Sequence, residues 1–197
     1  MKIAFFDFDG TLTKNDSITE FYKFVYKHDF VLNYYLRNLF HLILVKSNLI
    51  NYSNLKMRRL KFLIKKYPLD ILNKKSNEFY LFFLKKDLKI EGINKIKDLQ
   101  TKGVEVVIVS ASMDLLLIKW AREMNVKLIT NELEIIKGEF TGRFINEKDC
   151  NFEEKVTRIK NIYNLNKYDE ISAFGDSNGD YYMLQIADKP HMNLFKN

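Results

Sequence analysis

The stretch that decides the fold is IAFFDFDGT, residues 3–11. Its four apolar residues are typical of a buried strand, and two acids, Asp7 and Asp9, follow directly before the turn residue Gly10. Burying carboxylates costs several kcal/mol unless a cation or another partner compensates. The acid pair therefore indicates chemistry in which the acids hold a hard cation and keep one oxygen free to attack. The alternative is a solvated turn whose acids cap a helix.

Short apolar runs alternate with helical stretches in the rest of the chain. The predicted strands are residues 3–6, 104–109, 127–130 and 170–174, and the predicted helices are residues 112–124, 152–163 and 180–187. This alternation predicts an α/β protein with a Rossmann-like parallel sheet covered on both faces. Residues 132–144 predict a small hairpin with a Lys-Gly turn. Asp7, Ser110 and Asp176 each follow a predicted strand, at the edge where such sheets bind ligands.

Residues 16–89 differ in composition from the rest of the chain. This segment is rich in Leu, Tyr, Phe and Lys, contains no glycine, and repeats its apolar residues at helical spacing. We interpret it as a helical insertion after the first strand, with four helices and breaks near Asp29, residues 47–53 and Pro68. The predicted domains are therefore a core of residues 1–15 and 90–197 and a helical domain of residues 16–89.

The composition argues against several classes of protein. Its 197 residues, 47% hydrophobic and 29% charged, suit a soluble domain with an insertion. The single cysteine, Cys150, forms no internal disulfide and is interpreted as a structural thiol. No apolar run reaches the ~20 residues of a transmembrane helix, and no export signal is recognised, so a cytoplasmic location is expected. The net charge of +7 is spread along the chain without a nucleic-acid-binding signature, so no nucleic-acid partner is expected.

Three further motifs follow along the chain. In VSAS, residues 109–112, Ser110 and Ala111 end a predicted strand, although a serine there is commonly just a helix N-cap. Lys155 ends CNFEEK, residues 150–155, and alone it indicates a solvated helix residue. FGDSNGD, residues 174–180, adds Asp176 and Asp180 after another strand. Together with DFDGT, and in this order, these motifs resemble the haloacid dehalogenase-like (HAD) superfamily of aspartate-nucleophile phosphatases.

The resemblance covers nearly the whole chain and is closest to subfamily IB, the phosphoserine phosphatase-like group. Members of that group carry a helical C1-type cap directly after the first motif, and residues 16–89 occupy the corresponding place. The resemblance implies a HAD fold and a Mg²⁺-dependent phosphatase. Such an enzyme hydrolyses a small phosphomonoester, here a small phosphorylated metabolite, through an aspartyl-phosphate intermediate and needs no organic cofactor.

The resemblance also implies a role for each motif residue. Asp7 would be the nucleophile, and Asp9 would be the general acid and then the general base. Mg²⁺ would be held by Asp7, the backbone carbonyl of Asp9, and Asp176. Asp180 would orient Lys155 or a metal-bound water. The residues that would bind the phosphoryl oxygens are Thr11, Ser110, Ala111 and Lys155.

Two residues of the cap are candidates for substrate recognition. Asp16 lies where phosphoserine phosphatases place a glutamate for the substrate amine. Arg59 lies near their arginine for the substrate carboxylate, although Arg58 fits nearly as well. The alternative is that Asp16 is the N-cap of the first cap helix and that both arginines belong to a solvated helix face.

Three departures from phosphoserine phosphatases leave the substrate open. Gly10 replaces their usual serine, Ser-Ala-Ser replaces Ser-Gly-Gly, and Gly179 replaces an asparagine. Phosphorylated amino alcohols, glycerol-type phosphates and histidinol phosphate are therefore further candidates. A phosphotransferase would share the same motifs. A non-catalytic anion-binding module is disfavoured because every expected catalytic position is filled. The sequence does not indicate an oligomeric state.

Overall fold

A computed structural model describes residues 1–26, 68–145 and 148–196. Its centre is a sheet of five parallel strands in the order β3-β2-β1-β6-β7. The strands are β1 (Lys2–Phe6), β2 (Glu105–Met113), β3 (Lys127–Asn131), β6 (Glu170–Gly175) and β7 (Lys189–Met192). β1 lies in the middle and pairs in parallel with β2 and β6. The predicted α/β fold with a parallel sheet is confirmed.

Apolar side chains on both faces of β1 explain its central position. Ile3 and Phe5 belong to one hydrophobic cluster, Ala4 and Phe6 belong to the other, and all four are fully buried. The ring of Phe6 stacks on that of Phe174 in β6, with centroids 4.1 Å apart. A strand that is buried on both faces needs a continuous apolar run, and this is the pattern of residues 3–6.

Helices cover both faces of the sheet. One face carries α1 (Ser17–Tyr26), α2 (Leu69–Phe79), α3 (Ile90–Thr101) and α4 (Asp114–Met124). The other face carries α5 (Glu153–Ile162) and the short α6 (Tyr181–Gln185). Within residues 1–26, 68–145 and 148–196, none of the helices combines the length and the apolar character needed to cross a membrane.

β2 is longer than predicted, and α4 begins at Asp114 rather than at residue 112. The chain stays extended here because side chains bind its polar groups. The N–H of Ser112 donates to the hydroxyl oxygen of Ser110, and the side-chain amide of Asn131 donates to the carbonyl of Ala111. Such side-chain hydrogen bonds compete with the first turn of a helix.

Two elements, α3 and β7, were not identified in the sequence, and α6 is shorter than predicted. β7 has four residues and contains Pro190, so it lacks the apolar run that marks an interior strand. Its His191 pairs in register with Phe174, and the two rings stack with centroids 4.5 Å apart. α6 begins at Tyr181 because Asn178–Asp180 form a separate 3₁₀ turn before it, and it ends at Gln185, two residues before the predicted end.

The described residues of the predicted insertion, 16–26 and 68–89, share a hydrophobic cluster with β1 and β2. α2 begins directly after Pro68. Phe21 of α1 and Phe79 of α2 meet edge to face with centroids 5.4 Å apart, and both are fully buried. The predicted breaks near Asp29 and residues 47–53 lie outside the described residues.

The two ends of the predicted insertion lie next to each other. On the return side, α2 continues through a π-helical turn, Tyr80–Leu84, and a last turn, Lys85–Asp87. Thr13 forms a β-bridge with Leu88. The carboxylate of Asp87 accepts hydrogen bonds from the backbone N–H and the side-chain amide of Asn15 at 3.0 and 2.6 Å. The chain therefore leaves and re-enters the core at adjacent points.

The predicted hairpin is confirmed. β4 (Leu133–Ile136) and β5 (Glu139–Phe144) pair antiparallel. Lys137 and Gly138 join them with φ of +53° and +80°, and positive φ at both central residues is typical of a two-residue hairpin turn.

Candidate active site

The carboxyl ends of β1, β2 and β6 meet at one edge of the sheet and surround a cavity of about 180 Å³. The predicted site residues that line this cavity are Asp7, Asp9, Asp16, Ser110, Ala111, Lys155 and Asp180. Thr11 and Asp176 are not part of the lining, but they contact each other beside Asp7. Arg59 lies outside the described residues.

A buried ion-pair network lies at the centre of the site. Lys155 Nζ is 2.5 Å from Asp7 Oδ1 and 2.6 Å from Asp180 Oδ1. Burial lowers the pKa of Lys155, but the charges of Asp7 and Asp180 outweigh burial and raise it. Burial raises the pKa of Asp7 to about 7, although Lys155 opposes this shift. One ammonium group, that of Lys155, therefore pairs with two buried carboxyl groups. The network contains fewer cationic groups than acidic ones.

A third carboxylate, that of Asp176, completes a group suited to a divalent cation. Carboxylate oxygens of Asp7, Asp176 and Asp180 lie within 4.8 Å of one another. The hydroxyl of Thr11 lies 3.1 Å from Asp176 Oδ1 and 3.3 Å from Asp7 Oδ2. Burial also raises the pKa of Asp176. A cluster of carboxylate oxygens that is not balanced by enough positive charge fits a hard cation such as Mg²⁺.

Asp180 differs from Asp7 and Asp176 because it accepts more hydrogen bonds from protein donors than either of them does. Oδ2 accepts hydrogen bonds from the N–H groups of Asp176 and Ser177 at 3.2 and 3.1 Å, and from the Ser177 hydroxyl at 3.0 Å. Oδ1 binds Lys155. Asp7 and Asp176 are therefore better placed to hold a cation, whereas Asp180 is placed to orient Lys155.

Gly10 forms the turn between β1 and the rest of the site. Its φ is +82°, and a Cβ there would lie 2.3 Å from Asp176 Oδ2. The largely buried Lys89 donates from Nζ to the carbonyls of Gly10 and Phe195, at 2.6 and 3.2 Å. The turn is therefore held tightly beside Asp176. Lys89 was not identified in the sequence because nothing distinguishes it there from the many other lysines.

Gly10→Ala is expected to weaken the binding of Mg²⁺ by about tenfold or more, since the new methyl group displaces the Asp176 carboxylate. Gly138→Ala is a matched control: its φ of +80° brings similar backbone strain, but no atom lies within 4 Å of a Cβ there. Titration calorimetry with MgCl₂ would measure both affinities. Equal affinities in the two variants would show that Asp176 tolerates the methyl group.

Asp9 is bound to the first turn of α1. Its Oδ1 accepts the N–H of Ser17 at 2.9 Å, and its Oδ2 accepts the Ser17 hydroxyl at 3.0 Å. That hydroxyl also lies 2.7 Å from the hydroxyl of Ser112 at the end of β2. Burial, Asp16 and Asp7 raise the pKa of Asp9 well above its ordinary range, although Ser17 opposes them. A carboxyl group whose pKa is raised holds its proton more readily than an ordinary aspartate, which suits a general acid.

β2 contributes two residues to the cavity, Ser110 and Ala111. The hydroxyl oxygen of Ser110 accepts the N–H of Ser112 at 3.0 Å, and a hydroxyl that accepts in this way still has its O–H to donate. The carbonyl of Ala111 accepts the side-chain amide of Asn131 at 2.7 Å. The end of β2 is therefore fixed by side-chain hydrogen bonds.

Asn131 joins the end of β2 to the segment before α5. Its Nδ2 donates to Asp149 Oδ1 at 2.5 Å, and its Oδ1 accepts the N–H of Cys150 at 2.8 Å. Asp149 and Asn151 both line the cavity. These residues were missed in the sequence, although Asn151 lies within the CNFEEK motif that was noted for Lys155.

A buried arginine supports the same segment. Arg158 donates to the carbonyls of Thr130 and Lys148 at 2.7 and 2.6 Å and pairs with Glu154 at 3.0 Å. Arg158 follows Lys155 on α5, so the helix that presents the lysine also holds the loop before it. This residue was also missed, because a charged residue in an amphipathic helix is usually solvated.

Cys150 lies between two residues that line the cavity but does not line it itself. It is completely buried, and burial raises the pKa of its thiol to about 11. The thiol is therefore protonated at neutral pH, which agrees with its interpretation as a structural residue.

Asp16 is the N-cap residue of α1 and also lies at the cavity, while its contact with a substrate stays a prediction. Its Oδ1 accepts the N–H of Thr19 at 2.7 Å, which caps α1, and the residue also lines the cavity. Ile18, Thr19 and Tyr22 of α1 line the cavity beside it. Asp16 and α1 therefore form one wall of the site.

The fold and this arrangement of acids, serine and lysine define a known class of hydrolase. The sequence matches the profile of the haloacid dehalogenase-like hydrolases over residues 4–185, and the chain belongs to this family. It is 27% identical over 200 residues to Protein CicA of Caulobacter vibrioides, and the match covers 97% of this chain and 85% of CicA.

Solved structures show the same fold. A protein of unknown function from Bordetella pertussis Tohama I superposes with a TM-score of 0.85 at 21% identity, covering 96% of this chain and 88% of that one. A substrate-bound phosphoserine phosphatase gives a TM-score of 0.67 at 20% identity, covering 97% and 85% of the two chains. In its fold, the chain is phosphoserine phosphatase-like.

Proposed function

We propose that this protein is a Mg²⁺-dependent phosphatase that hydrolyses a small phosphomonoester through an aspartyl-phosphate on Asp7. The observation that carries the proposal is the buried contact of Lys155 with Asp7 and Asp180, with the Asp176 carboxylate within reach. A lysine that is 1% exposed is costly to bury for stability alone. Membership of the HAD family supports the same reaction.

In the first half of the reaction, Asp7 attacks the phosphorus atom and the bond from phosphorus to the ester oxygen breaks. Lys155 Nζ and the Ser110 hydroxyl hold phosphoryl oxygens as negative charge spreads over them. Asp9 gives its proton to the departing alcohol oxygen, for which its raised pKa is suitable.

In the second half, water attacks the phosphorus atom of the aspartyl-phosphate, and Asp9 takes a proton from that water. The products are orthophosphate and the Asp7 carboxylate, so the enzyme returns to its starting state. Mg²⁺ bound by Asp7, Asp176 and the Asp9 carbonyl would offset the repulsion between the nucleophile and the anionic phosphate.

We further propose that residues 16–89 act as a cap over this site and that residues 1–15 and 90–197 form the catalytic core. α1 supports this division, because its first turn binds Asp9 and its side chains line the cavity. A cap at this position excludes water during attack and selects the leaving group. Asp16 and Arg59 stay predicted substrate contacts, and cytoplasmic location stays a prediction from the sequence.

A panel of phosphomonoesters tests the proposed reaction. The panel contains phosphoserine, phosphorylated amino alcohols, glycerol phosphate and histidinol phosphate, each with MgCl₂ or with EDTA. We expect release of orthophosphate from at least one ester in MgCl₂ and none in EDTA. Release that EDTA leaves unchanged would contradict the metal requirement. A new phosphomonoester formed from an added alcohol, instead of free phosphate, would identify a phosphotransferase.

A further inference from the structure

We infer that Asn151 binds a phosphoryl oxygen of the substrate through its side-chain nitrogen, Nδ2. The inference rests on the proposed phosphatase function, and none of the four motif roles includes this residue. Its basis is the position of the amide at the cavity, the space beside Gly179, and the backbone conformation of Phe152.

In the side-chain amide of Asn151, Oδ1 accepts a hydrogen bond, whereas Nδ2 is available to donate one. Asn151 lines the same cavity as Asp7, Ser110 and Lys155. Its Oδ1 accepts the N–H of Phe152 at 3.0 Å, so the acceptor end of the amide is identified by that donor. Among the residues that the structure describes, none accepts a hydrogen bond from its Nδ2. Asn151 is only partly buried, so water satisfies this donor in the free protein, and we expect a phosphoryl oxygen that enters the cavity to replace that water.

The absence of a side chain at Gly179 leaves the space that the Asn151 amide occupies. The φ of Gly179 is not positive, so backbone conformation does not require glycine there. A Cβ at position 179 would lie 2.2 Å from Asn151 Oδ1 and 3.3 Å from the Ser177 hydroxyl. Where phosphoserine phosphatases usually carry an asparagine, this chain has a glycine. The space that such a side chain would occupy is filled by Asn151.

Phe152 adopts a strained backbone conformation that keeps Asn151 in place. Its φ and ψ are +51° and −129°, a region that bulky residues rarely adopt. Its N–H donates both to the Gly179 carbonyl at 2.9 Å and to Asn151 Oδ1 at 3.0 Å. Burial of the ring does not compensate for the strain, because the residue is 52% exposed. The conformation instead places residue 151 against residue 179.

A donor in addition to Thr11, Ser110, Ala111 and Lys155 also suits the phosphoryl group. Lys155 already contacts two carboxylates, at 2.5 and 2.6 Å, and a transferring phosphoryl group spreads charge over three oxygens. Ser110 supplies one hydroxyl. Nδ2 of Asn151 adds a neutral donor, which brings no counter-charge that would compete for the carboxylate of Asp7.

Orthophosphate binding to the full chain in MgCl₂ tests the inference, with titration calorimetry as a readout independent of turnover. Asn151→Ala is expected to raise the Kd about 10- to 100-fold, the effect of losing one hydrogen bond to a charged group. Asn151→Asp is the sharper variant, because its carboxylate still accepts the Phe152 N–H but repels phosphate. It should bind orthophosphate more weakly than Asn151→Ala. Asn161→Ala, an exposed amide on α5, is the matched control and should bind like the wild type.

The outcomes separate binding from structure. If Asn151 does not contact phosphate, Asn151→Ala will bind orthophosphate as tightly as the wild type, and the inference is wrong. Suppose that the wild type hydrolyses esters and every Asn151 variant binds orthophosphate as tightly as the wild type. The inference then fails while the phosphatase function stands. If the wild type neither binds orthophosphate nor hydrolyses any ester, the proposed function fails and the inference fails with it.

A double substitution tests the shared space directly. Gly179→Asn alone should weaken orthophosphate binding, because its Cβ collides with Asn151. Adding Asn151→Gly removes the collision and lets the amide reach the site from position 179. We expect the double variant to bind orthophosphate more tightly than either single variant. If the losses of orthophosphate affinity in the two single variants add up in the double variant, an amide at position 179 does not replace the amide of Asn151.

Discussion

Asp7→Asn is expected to lower kcat for phosphomonoester hydrolysis by about 10⁴-fold or more. The amide has the shape of the carboxylate but is not a nucleophile, so no aspartyl-phosphate forms. The variant should keep its fold. Burial raises the pKa of Asp7 to about 7 and so already disfavours the charged form, which makes a neutral group of the same shape acceptable. Steady-state kinetics with an ester from the panel, together with the melting temperature, would measure both effects.

Asp169→Asn is the matched control for this substitution. It removes one carboxylate charge by the same isosteric change, at a residue whose side chain is 80% exposed and which directly precedes β6, at the opposite edge of the sheet. Its kcat should equal that of the wild type. If the two variants were equally active, Asp7 could not be the nucleophile and the aspartyl-phosphate mechanism would be excluded.

Lys155→Met is expected to reduce both activity and stability. kcat/KM should fall by about 10²–10³-fold, because the phosphoryl oxygens lose a positive charge in a buried site. The free energy of unfolding should fall by about 3 kcal/mol, since removing one partner of a buried ion pair leaves the other uncompensated. The loss is at the lower end of the usual range because a carboxylate such as Asp7 can take up a proton. Urea unfolding and steady-state kinetics would measure the two losses.

Lys189→Met controls for the loss of an ion-paired lysine. Lys189 pairs with Glu170, but its side chain is 56% exposed, and solvent screens such pairs. Its unfolding and its kinetics should match those of the wild type. A Lys155→Met variant that is inactive but fully stable would assign Lys155 to catalysis alone. One that is unstable but active would assign it to structure alone.

Much of the fold was predicted from local patterns in the chain. The apolar run 3–6, buried on both faces, predicted the central strand, and the alternation of strands and helices predicted the parallel sheet. β7 escaped because four residues that include a proline carry no strand pattern. The start of α4 was misplaced because the hydrogen bonds that extend β2 come from Ser110 and Asn131, and the latter is distant in sequence.

Some residues of the candidate site were predicted from the sequence, and others were found only in the structure. Asp7, Asp9, Ser110 and Asp176 were predicted as site residues because they occur in short motifs at the ends of predicted strands. Lys155 was predicted because its motif lies between the two motifs that are specific to the family. The partners that position them were not identified. Those residues are Ser17, Lys89, Asn131, Asp149, Asn151 and Arg158. Each acts through contacts with residues far away in the chain, and each would be ordinary in composition at its own position.

The sequence by itself determined the order of the elements and the chemical groups at the ends of the strands, because hydrophobic periodicity and turn residues act over a few neighbouring positions. Only the tertiary structure decided which polar atoms meet. It brings Lys155 between Asp7 and Asp180, and it places the Asn151 amide in the space left by Gly179. The physical reason is that hydrogen bonds and ion pairs act over about 3 Å, a distance that spacing along the chain cannot specify.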